Sequence, residues 1–266
     1  MAQTKIEWCT MTWNPVTGCS NNCNYCYARI FAERLKHNPN PKIALRYRNG
    51  FLPTVQYDSL NLPLMWKKPQ RIFVTSMGDL FSPEFEYDTI KAVFDVMRKA
   101  SHHTYLVLTK NPDRMKEMMD IYFDEHWLSI MPAHIHVGIT VVNQADYDLN
   151  VPKLIKTRAH IHFISVEPMQ GFISLAPYAD DLSWVICGGE TGKTRNKLNP
   201  EWVYSLLDQC LAHNIPFFFK SWGAYRPADG TKRVECSMIK SQPKERPRLL
   251  DSRIWDEFPN QISPKS

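Results

Sequence analysis

The 266-residue sequence contains no long uninterrupted apolar run. A membrane-spanning helix needs about 20 consecutive, mostly apolar residues, and no stretch of this chain approaches that length. Residues 1–8 also lack the apolar core of a secretory signal peptide. We therefore expect a cytoplasmic protein without membrane contact, in a compartment where thiols stay reduced.

Other absences narrow the range of functions. There is no internal repeat or low-complexity tract, and the spacing of a phosphate-binding P-loop is missing, although residues 188–193 are rich in glycine. The chain has 32 basic and 27 acidic residues, so its net charge of +5 gives only a weak indication of nucleic-acid binding. Four cysteines are scattered and suggest no disulfide framework: Cys9, Cys187, Cys210 and Cys236.

The other three cysteines lie within eight residues. Cys19, Cys23 and Cys26 have the spacing Cys-x3-Cys-x2-Cys, and Tyr25 stands immediately before the third. A short loop allows three thiolates to converge on one metal centre, and thiolates select zinc or iron–sulfur clusters over hard cations. Structural zinc sites and ferredoxin clusters normally use four protein ligands, and no fourth cysteine or histidine follows at ligand spacing. The spacing predicts a metal centre with one open position.

This motif resembles the signature of the radical S-adenosylmethionine superfamily. The resemblance implies a [4Fe-4S] cluster held by Cys19, Cys23 and Cys26, with S-adenosyl-L-methionine bound at the fourth iron and contacted by Tyr25. It also implies a 5′-deoxyadenosyl radical that abstracts hydrogen from substrate, and a one-electron donor of flavodoxin or ferredoxin type. A zinc site completed by a distant ligand, a disulfide pair and a fortuitous cluster remain alternatives.

The middle of the chain alternates short apolar runs with amphipathic segments, which is typical of a parallel sheet with helical crossovers. Strands are predicted near residues 71–76, 104–109, 134–142, 161–166, 183–187 and 216–220, with one more before the cysteine loop. We expect an α/β fold, a partial or full (β/α) barrel, with a doubly wound open sheet as the alternative. Residues 1–240 are expected to form one domain, and residues 241–266 a tail that packs partly on it.

In such a barrel, functional groups follow the C-terminal ends of the strands. By resemblance, Ser76, Gly78 and Asp79 would contact the amino group of the cofactor, although a helix cap is the alternative role for Asp79. Asn143 would meet ribose hydroxyls. Cofactor contacts are also predicted at the next strand ends, for Ser165, Glu167, Gly188, Gly189 and Glu190. Lys220, at the end of the last strand, and Cys187 are the candidate catalytic residues. Cys187 would act as a hydrogen donor, with burial in the core as its alternative.

A narrower resemblance runs from about Lys5 to Gly223. The chain is similar to a phage-associated family of three-cysteine-motif proteins whose function is largely unassigned. The resemblance is carried by Trp13-Asn14-Pro15-Val16-Thr17-Gly18-Cys19, Ser165-Val166-Glu167-Pro168, Trp184-Val185-Ile186-Cys187-Gly188-Gly189-Glu190 and Pro216-Phe217-Phe218-Phe219-Lys220-Ser221-Trp222-Gly223.

The substrate prediction is a nucleic-acid base or nucleotide. Residues 42–49 and the pair Lys67–Lys68 combine basic and aromatic groups, and Tyr47 or Trp66 would stack on an unpaired base. A solvated insertion is the alternative for this region. Two further functions stay open: a metal-stabilised nucleic-acid-binding module without turnover, and radical modification of a peptide or protein.

Overall fold

The structure is a computed structural model that describes residues 4, 6–191, 196–228, 237–241 and 247–259. The chain forms two compact units, one of Met1–Val137 with Thr157–His160 and one of Gly138–Lys156 with Ile161–Ser266. None of the helices in these described ranges combines the length and the apolar character needed to cross a membrane.

The described helices are α1 (Tyr27–Leu35), α2 (Pro41–Arg46), α3 (Leu62–Met65), α4 (Tyr87–Lys99), α5 (Pro112–His126), α6 (Gln144–Leu154) and α7 (Pro200–Ala212), with 3-10 turns at Tyr57–Ser59 and Ala179–Asp181. The described strands are β1 (Met11–Trp13), β2 (Val16–Thr17), β3 (Thr54–Val55), β4 (Arg71–Val74), β5 (Thr104–Thr109), β6 (Ile135–Thr140), β7 (His162–Val166), β8 (Trp184–Gly188), β9 (Phe217–Ser221), β10 (Tyr225–Pro227), β11 (Met238–Lys240), β12 (Leu249–Leu250) and β13 (Arg253–Ile254).

Seven strands form the main sheet, in the order β1-β4-β5-β6-β7-β8-β9. Neighbouring strands such as β1 and β4, β4 and β5, β7 and β8, and β8 and β9 run parallel. The fold is a partial (β/α) barrel, as the alternating pattern predicts. The doubly wound alternative is wrong, because the strand order follows the chain without the reversal that defines a doubly wound sheet.

In the first unit, β2 and β3 form an antiparallel pair that begins and ends a long excursion of the chain. Thr17 lies opposite Thr54, so residues 18–53 leave and return at neighbouring points. This excursion contains the cysteine loop, α1 and α2. Its core consists of Ala28, Ala32, Tyr47, Phe51 and Met77, against which Cys19, Cys26, Leu35 and Ile43 pack.

In the second unit, β9 is the last strand of the sheet, and residues 247–259 run beside it. The amide of Phe219 donates to the carbonyl of Trp255 at 2.8 Å, and the amide of Trp222 donates to the carbonyl of Pro247 at 3.0 Å. The indole of Trp184 donates to the carbonyl of Glu257 at 2.9 Å. The first of these bonds occupies a backbone amide that β9, as the last strand, would otherwise leave unpaired.

Candidate functional site

The cysteine loop begins at Gly18, directly after β2, and is fastened to the segment that follows β4. The amide of Gly18 donates to the carbonyl of Met77 at 2.9 Å, and the amide of Asp79 donates to the carbonyl of Gly18 at 3.3 Å. Gly18 has a φ of +84°, which favours glycine. A Cβ atom built on Gly78 would lie 2.5 Å from the carbonyl oxygen of Gly18. The glycine at position 78 is therefore required for the backbone contact that closes this loop.

All three loop cysteines are free thiols and are partly exposed. The amide of Asn21 donates to Sγ of Cys19 at 3.3 Å, and the amide of Arg29 donates to Sγ of Cys26 at 3.4 Å. Cys26 is also the N-cap of α1, where the helix dipole favours negative charge. Two of the three sulfurs thus already accept the backbone N–H bonds that stabilise thiolate ligands of a metal centre.

Burial raises the pKa of Cys19 to about 11; the hydrogen bond from Asn21 lowers it, and the charges of Asp79, Cys23 and Cys26 raise it further. Without a metal, this thiol stays protonated at neutral pH, and a bound cation would replace the proton. As the side chains stand, no three Cys, His, Asp or Glu groups among the described residues are placed to hold a metal ion. The donor set, three free thiols on one short loop, fits a three-thiolate centre once the sulfurs turn inward.

Asp79 connects the cysteine loop to the end of β5. Its carboxylate is buried and accepts hydrogen bonds from the side chain of Asn21 at 3.1 Å, the hydroxyl of Thr109 at 2.7 Å and the side chain of Asn111 at 3.0 Å. The backbone amides of Phe81 and Lys110 donate to it at 3.0 Å each. Five donors saturate the acceptor capacity of one carboxylate. The structure therefore gives Asp79 a role in holding the loop.

Ser76 lies on the same segment and is held by Asn14. Its hydroxyl donates to the side-chain oxygen of Asn14 at 3.2 Å, and the Met77 amide donates to the same oxygen at 2.9 Å. The hydroxyl of Tyr27 donates to the carbonyl of Ser76 at 2.7 Å. Tyr25, the aromatic residue of the motif, lies with its ring 5.7 Å from the Lys110 ammonium. Ser76, Gly78, Asp79 and Tyr25 are thus brought together with the cysteines within the first unit.

The second unit contains a separate cluster at the ends of β7, β8 and β9. Lys220 forms an ion pair with Glu167, and their side chains are 21% and 18% exposed. Gly188 lies between them, since a Cβ atom there would be 3.4 Å from Cβ of Lys220 and 3.5 Å from Cδ of Glu167. Glu167, Gly188 and Lys220, which are all predicted site residues, therefore meet at one partly buried ion pair.

The remaining predicted strand-end residues of this unit make local contacts or are buried. Asn143 is the N-cap of α6 and accepts from the amide of Asp146 at 2.9 Å. Ser165 is buried in β7. A Cβ on Gly189 would lie 2.1 Å from the carbonyl oxygen of Trp222. The buried carboxylate of Glu190 accepts from the side chain of Asn196 at 3.0 Å.

Cys187 is fully buried, and its thiol points to the sulfur of Met169 at 3.8 Å. Burial raises the pKa of this thiol well above its ordinary value, with Cys210 and Glu167 adding to the effect. This geometry agrees with the alternative prediction for Cys187, which is burial in the core. Cys236, Gly192 and Lys193 lie outside the described residues.

The residues that are predicted to contact nucleic acid differ in how far they are exposed. Tyr47 is only 7% exposed and packs in the core around Phe51 and Met77, so it offers no face to a base. Arg46 is bound to Ser59 and to the carbonyl of Asn14. Trp66 is partly exposed beside the exposed Lys67 and Lys68.

Sequence reasoning missed the polar residues that anchor the cysteine loop. Asn14, Asn21, Thr109 and Asn111 make the bonds described above, yet none was a candidate. Asn21 lies 58 residues from Asp79 in sequence, and Thr109 lies 30 residues from it. No local pattern indicates pairs at such separations.

The fold and this loop define a class: an α/β protein with a partial (β/α) barrel and a three-cysteine loop before its first helix. The chain belongs to the family described as "Protein of unknown function (DUF5131)", whose match covers residues 3–259. Comparison with curated proteins and with solved structures finds no match.

Proposed function

We propose that this protein is a radical S-adenosylmethionine enzyme of the cytoplasm. The observation that carries the proposal is the loop of three free thiols, two of which accept backbone N–H bonds while no fourth Cys or His follows at ligand spacing. A three-thiolate centre keeps one position open, whereas structural zinc sites are closed by four protein ligands.

Cys19, Cys23 and Cys26 would hold the [4Fe-4S] cluster. Together with S-adenosyl-L-methionine, such a cluster would supply the one-electron chemistry needed to abstract a hydrogen atom from substrate. The chain's own residues hold the site in place. Gly78 closes the loop against Gly18, and Asp79 connects it to the end of β5. Such supporting contacts keep ligands in productive geometry.

The Glu167–Lys220 pair is the candidate for a polar role in catalysis or cofactor binding in the second unit. A partly exposed ion pair flanked by glycine offers both a proton acceptor and a proton donor to a ligand.

The proposed substrate is a nucleic-acid base or nucleotide. The support is the partly exposed indole of Trp66 beside the exposed Lys67 and Lys68, which combines a stacking surface with phosphate-attracting charge. Phosphate contacts by lysine make binding fall steeply with salt. A base inside a duplex would have to be flipped out to be reached. Radical modification of a peptide and nucleic-acid binding without turnover are the alternatives.

Anaerobic reconstitution followed by metal and sulfide analysis tests the central claim. We expect about four irons and four sulfides per chain. The triple change Cys19→Ala, Cys23→Ala and Cys26→Ala should remove both, with the visible absorbance. Cys9→Ser is the matched control, because Cys9 lies outside the loop and its thiol donates to the carbonyl of Ile6. Stoichiometric zinc without iron would overturn the proposal.

Turnover separates an enzyme from a binding module. With reductant and S-adenosyl-L-methionine, we expect slow formation of 5′-deoxyadenosine, stimulated by the true substrate among DNA, RNA, nucleotides and a peptide pool. Stimulation by peptides alone would move the substrate to proteins. Binding of S-adenosyl-L-methionine to Glu167→Gln and Lys220→Met, compared with the unchanged chain, decides whether the pair contacts the cofactor.

A further inference from the structure

The residues around Trp66 lie at the edge of the sheet where the strands of the first unit begin. Arg71 and Thr104, the first residues of β4 and β5, are paired with each other in parallel strands. The residues that precede them therefore lie together at this edge. Nε2 of His102 is 2.7 Å from the carbonyl oxygen of Trp66, which joins the two segments.

The cysteine loop contacts the opposite edge. The carboxylate of Asp79 accepts a hydrogen bond from the side chain of Asn21, a residue of the loop, and another from the amide of Lys110. Lys110 directly follows β5, whose six residues thus separate the two edges. At a rise of about 3.3 Å per residue, the cysteine loop and Trp66 are about 20 Å apart.

The edge at Trp66 combines an aromatic ring with positive charge. The side chain of Trp66 is partly exposed and meets the His103 ring edge-on, with the ring centroids 6.0 Å apart. Lys67 and Lys68 follow Trp66 in the chain, and both are exposed, as is His102. Residues 60–70 and 98–104 together contain four basic residues and no acidic residue. An aromatic ring beside lysines is the composition of a surface that binds a nucleic-acid strand.

We propose that this surface, defined by Trp66, Lys67, Lys68 and His102 and called the Trp66 surface, anchors a single nucleic-acid strand at a distance from the nucleotide that reacts. Trp66 stacks on an unpaired base, and the lysines contact phosphates. The proposal rests on the proposed function and names its substrate class, which is a polynucleotide and not a free nucleotide.

The separation of the two edges sets the length of the strand. A stacked strand advances about 3.4 Å per nucleotide, so about six nucleotides cover the distance of about 20 Å. A free nucleotide covers one such step, and it cannot contact Trp66 while it reacts at the cysteine loop. Use of the Trp66 surface during the reaction therefore requires a polymer.

A membrane surface fits these residues less well. Leu64 and Met65 are 44% and 64% exposed on α3, immediately before Trp66. Binding in a membrane interface increases with the apolar area that is buried there, and the four residues of α3 form a single turn. The observations therefore favour nucleic acid over anionic lipid.

Fluorescence anisotropy with labelled DNA and RNA strands of about 12 nucleotides, twice the length that spans the two edges, measures the anchoring. Trp66→Leu should weaken binding at least about fivefold, because it removes the stacking on one base. Trp66→Phe keeps an aromatic face and should retain most of the affinity. Lys67→Gln with Lys68→Gln should lower the slope of log Kd against log salt concentration by about 1.4, since each phosphate contact of a single strand contributes about 0.7.

Trp127→Leu is the matched aromatic control. Trp127 is 95% exposed, but it lies close in the chain to Asp124 and Glu125, whose charges repel phosphates. Lys156→Gln with Lys240→Gln changes two exposed lysines of the second unit and is the matched charge control. Neither control should change the affinity or the salt dependence.

Photo-crosslinking locates the strand on the protein. One 5-iodouracil is placed at each position of the strand in turn. The positions that crosslink to residues 60–70 should lie about six nucleotides from those that crosslink to residues 18–26. Crosslinking of one position to both segments would overturn the inference. Equal affinity of Trp66→Leu and the unchanged protein, or Trp66-dependent binding of phosphatidylserine vesicles without binding of the strands, would also overturn it.

Turnover separates this inference from the proposed function. The strand should stimulate formation of 5′-deoxyadenosine more than a free nucleotide does, and Trp66→Leu should raise the KM for the strand. Equal stimulation by a free nucleotide would overturn the anchoring site and leave the radical enzyme in place. Trp66-dependent binding of the strand by a protein that holds zinc and no iron would support the anchoring site and overturn the proposed function.

Discussion

Gly78 lies against the backbone of Gly18, so closely that one added methyl group would come within 2.8 Å of the Gly18 nitrogen and 2.5 Å of its oxygen. Both atoms belong to the main chain and cannot move aside as a flexible side chain would. The contact joins the start of the cysteine loop to the segment after β4. It therefore also holds the backbone of the adjacent Cys19 in position. Position 78 therefore controls the loop without carrying any reactive group.

Gly78→Ala should destabilise the protein and loosen the cysteine loop. Overpacking against fixed atoms costs about 1–3 kcal/mol. The measurement is the urea midpoint together with hydrogen exchange of residues 18–26, which should speed up. Gly171→Ala is the control, because its added Cβ would meet no atom closer than 3.4 Å. Equal midpoints for the two variants would contradict the role assigned to this contact.

The strands of the sheet were predictable because their sequences are almost continuously apolar. Residues 104–109 were predicted as a strand and are β5 with the same bounds. The helix α6 was not predicted, since Pro152 interrupts it and polar residues fill its first turns. The sequence predicts a ribose contact at Asn143, and the structure shows this residue as the N-cap of α6. A capping asparagine and a ligand-binding asparagine look the same in sequence, because both follow a strand end.

The site could be predicted only where its residues are close in sequence. Cys19, Cys23 and Cys26 carry their own spacing, and this defines the loop. The hydrogen bonds of Asp79 join segments that are distant in the chain, so no local sequence pattern predicts them. Gly189 illustrates the same limit, because a glycine that admits a ligand and one that admits the Trp222 backbone cannot be told apart before the fold is known.

We predict a measurable energetic coupling between Glu167 and Lys220 in the free energy of unfolding. Both side chains are about four-fifths buried, so removal of one partner leaves a poorly solvated charge. Glu167→Gln or Lys220→Met should each lower the free energy of unfolding by about 2 kcal/mol, after allowance for the remaining solvent contact. The double variant should be more stable than the sum of the two losses indicates.

Urea unfolding of the four proteins in this cycle checks the prediction. Lys156→Met and Asp124→Asn, which change exposed charges, are the controls for each single change, and each should stay within about 0.5 kcal/mol of the unchanged protein. Strictly additive losses would show that the two side chains do not stabilise one another.

We predict that the buried side chain of His136 makes the stability of the fold sensitive to acid. It is 4% exposed in β6, and its Nδ1 atom has no hydrogen-bond partner among the described residues. Burial lowers its pKa from about 6.5 to about 4, helped by the charges of His134 and Arg71 and opposed by a hydrogen bond with the backbone of Ala133. Because the folded pKa is the lower one, the unfolded chain takes up a proton first as the pH falls.

The contribution of His136 to stability is therefore complete above pH 6.5 and is lost progressively between pH 6.5 and pH 4. A shift of this size corresponds to about 3 kcal/mol at the acid end. His136→Phe should flatten the dependence of the urea midpoint on pH in this window, since phenylalanine does not titrate. His37→Gln changes an exposed histidine and should leave the slope as it is. The same acid slope in His136→Phe and in the unchanged protein would show that folding does not lower the pKa of His136.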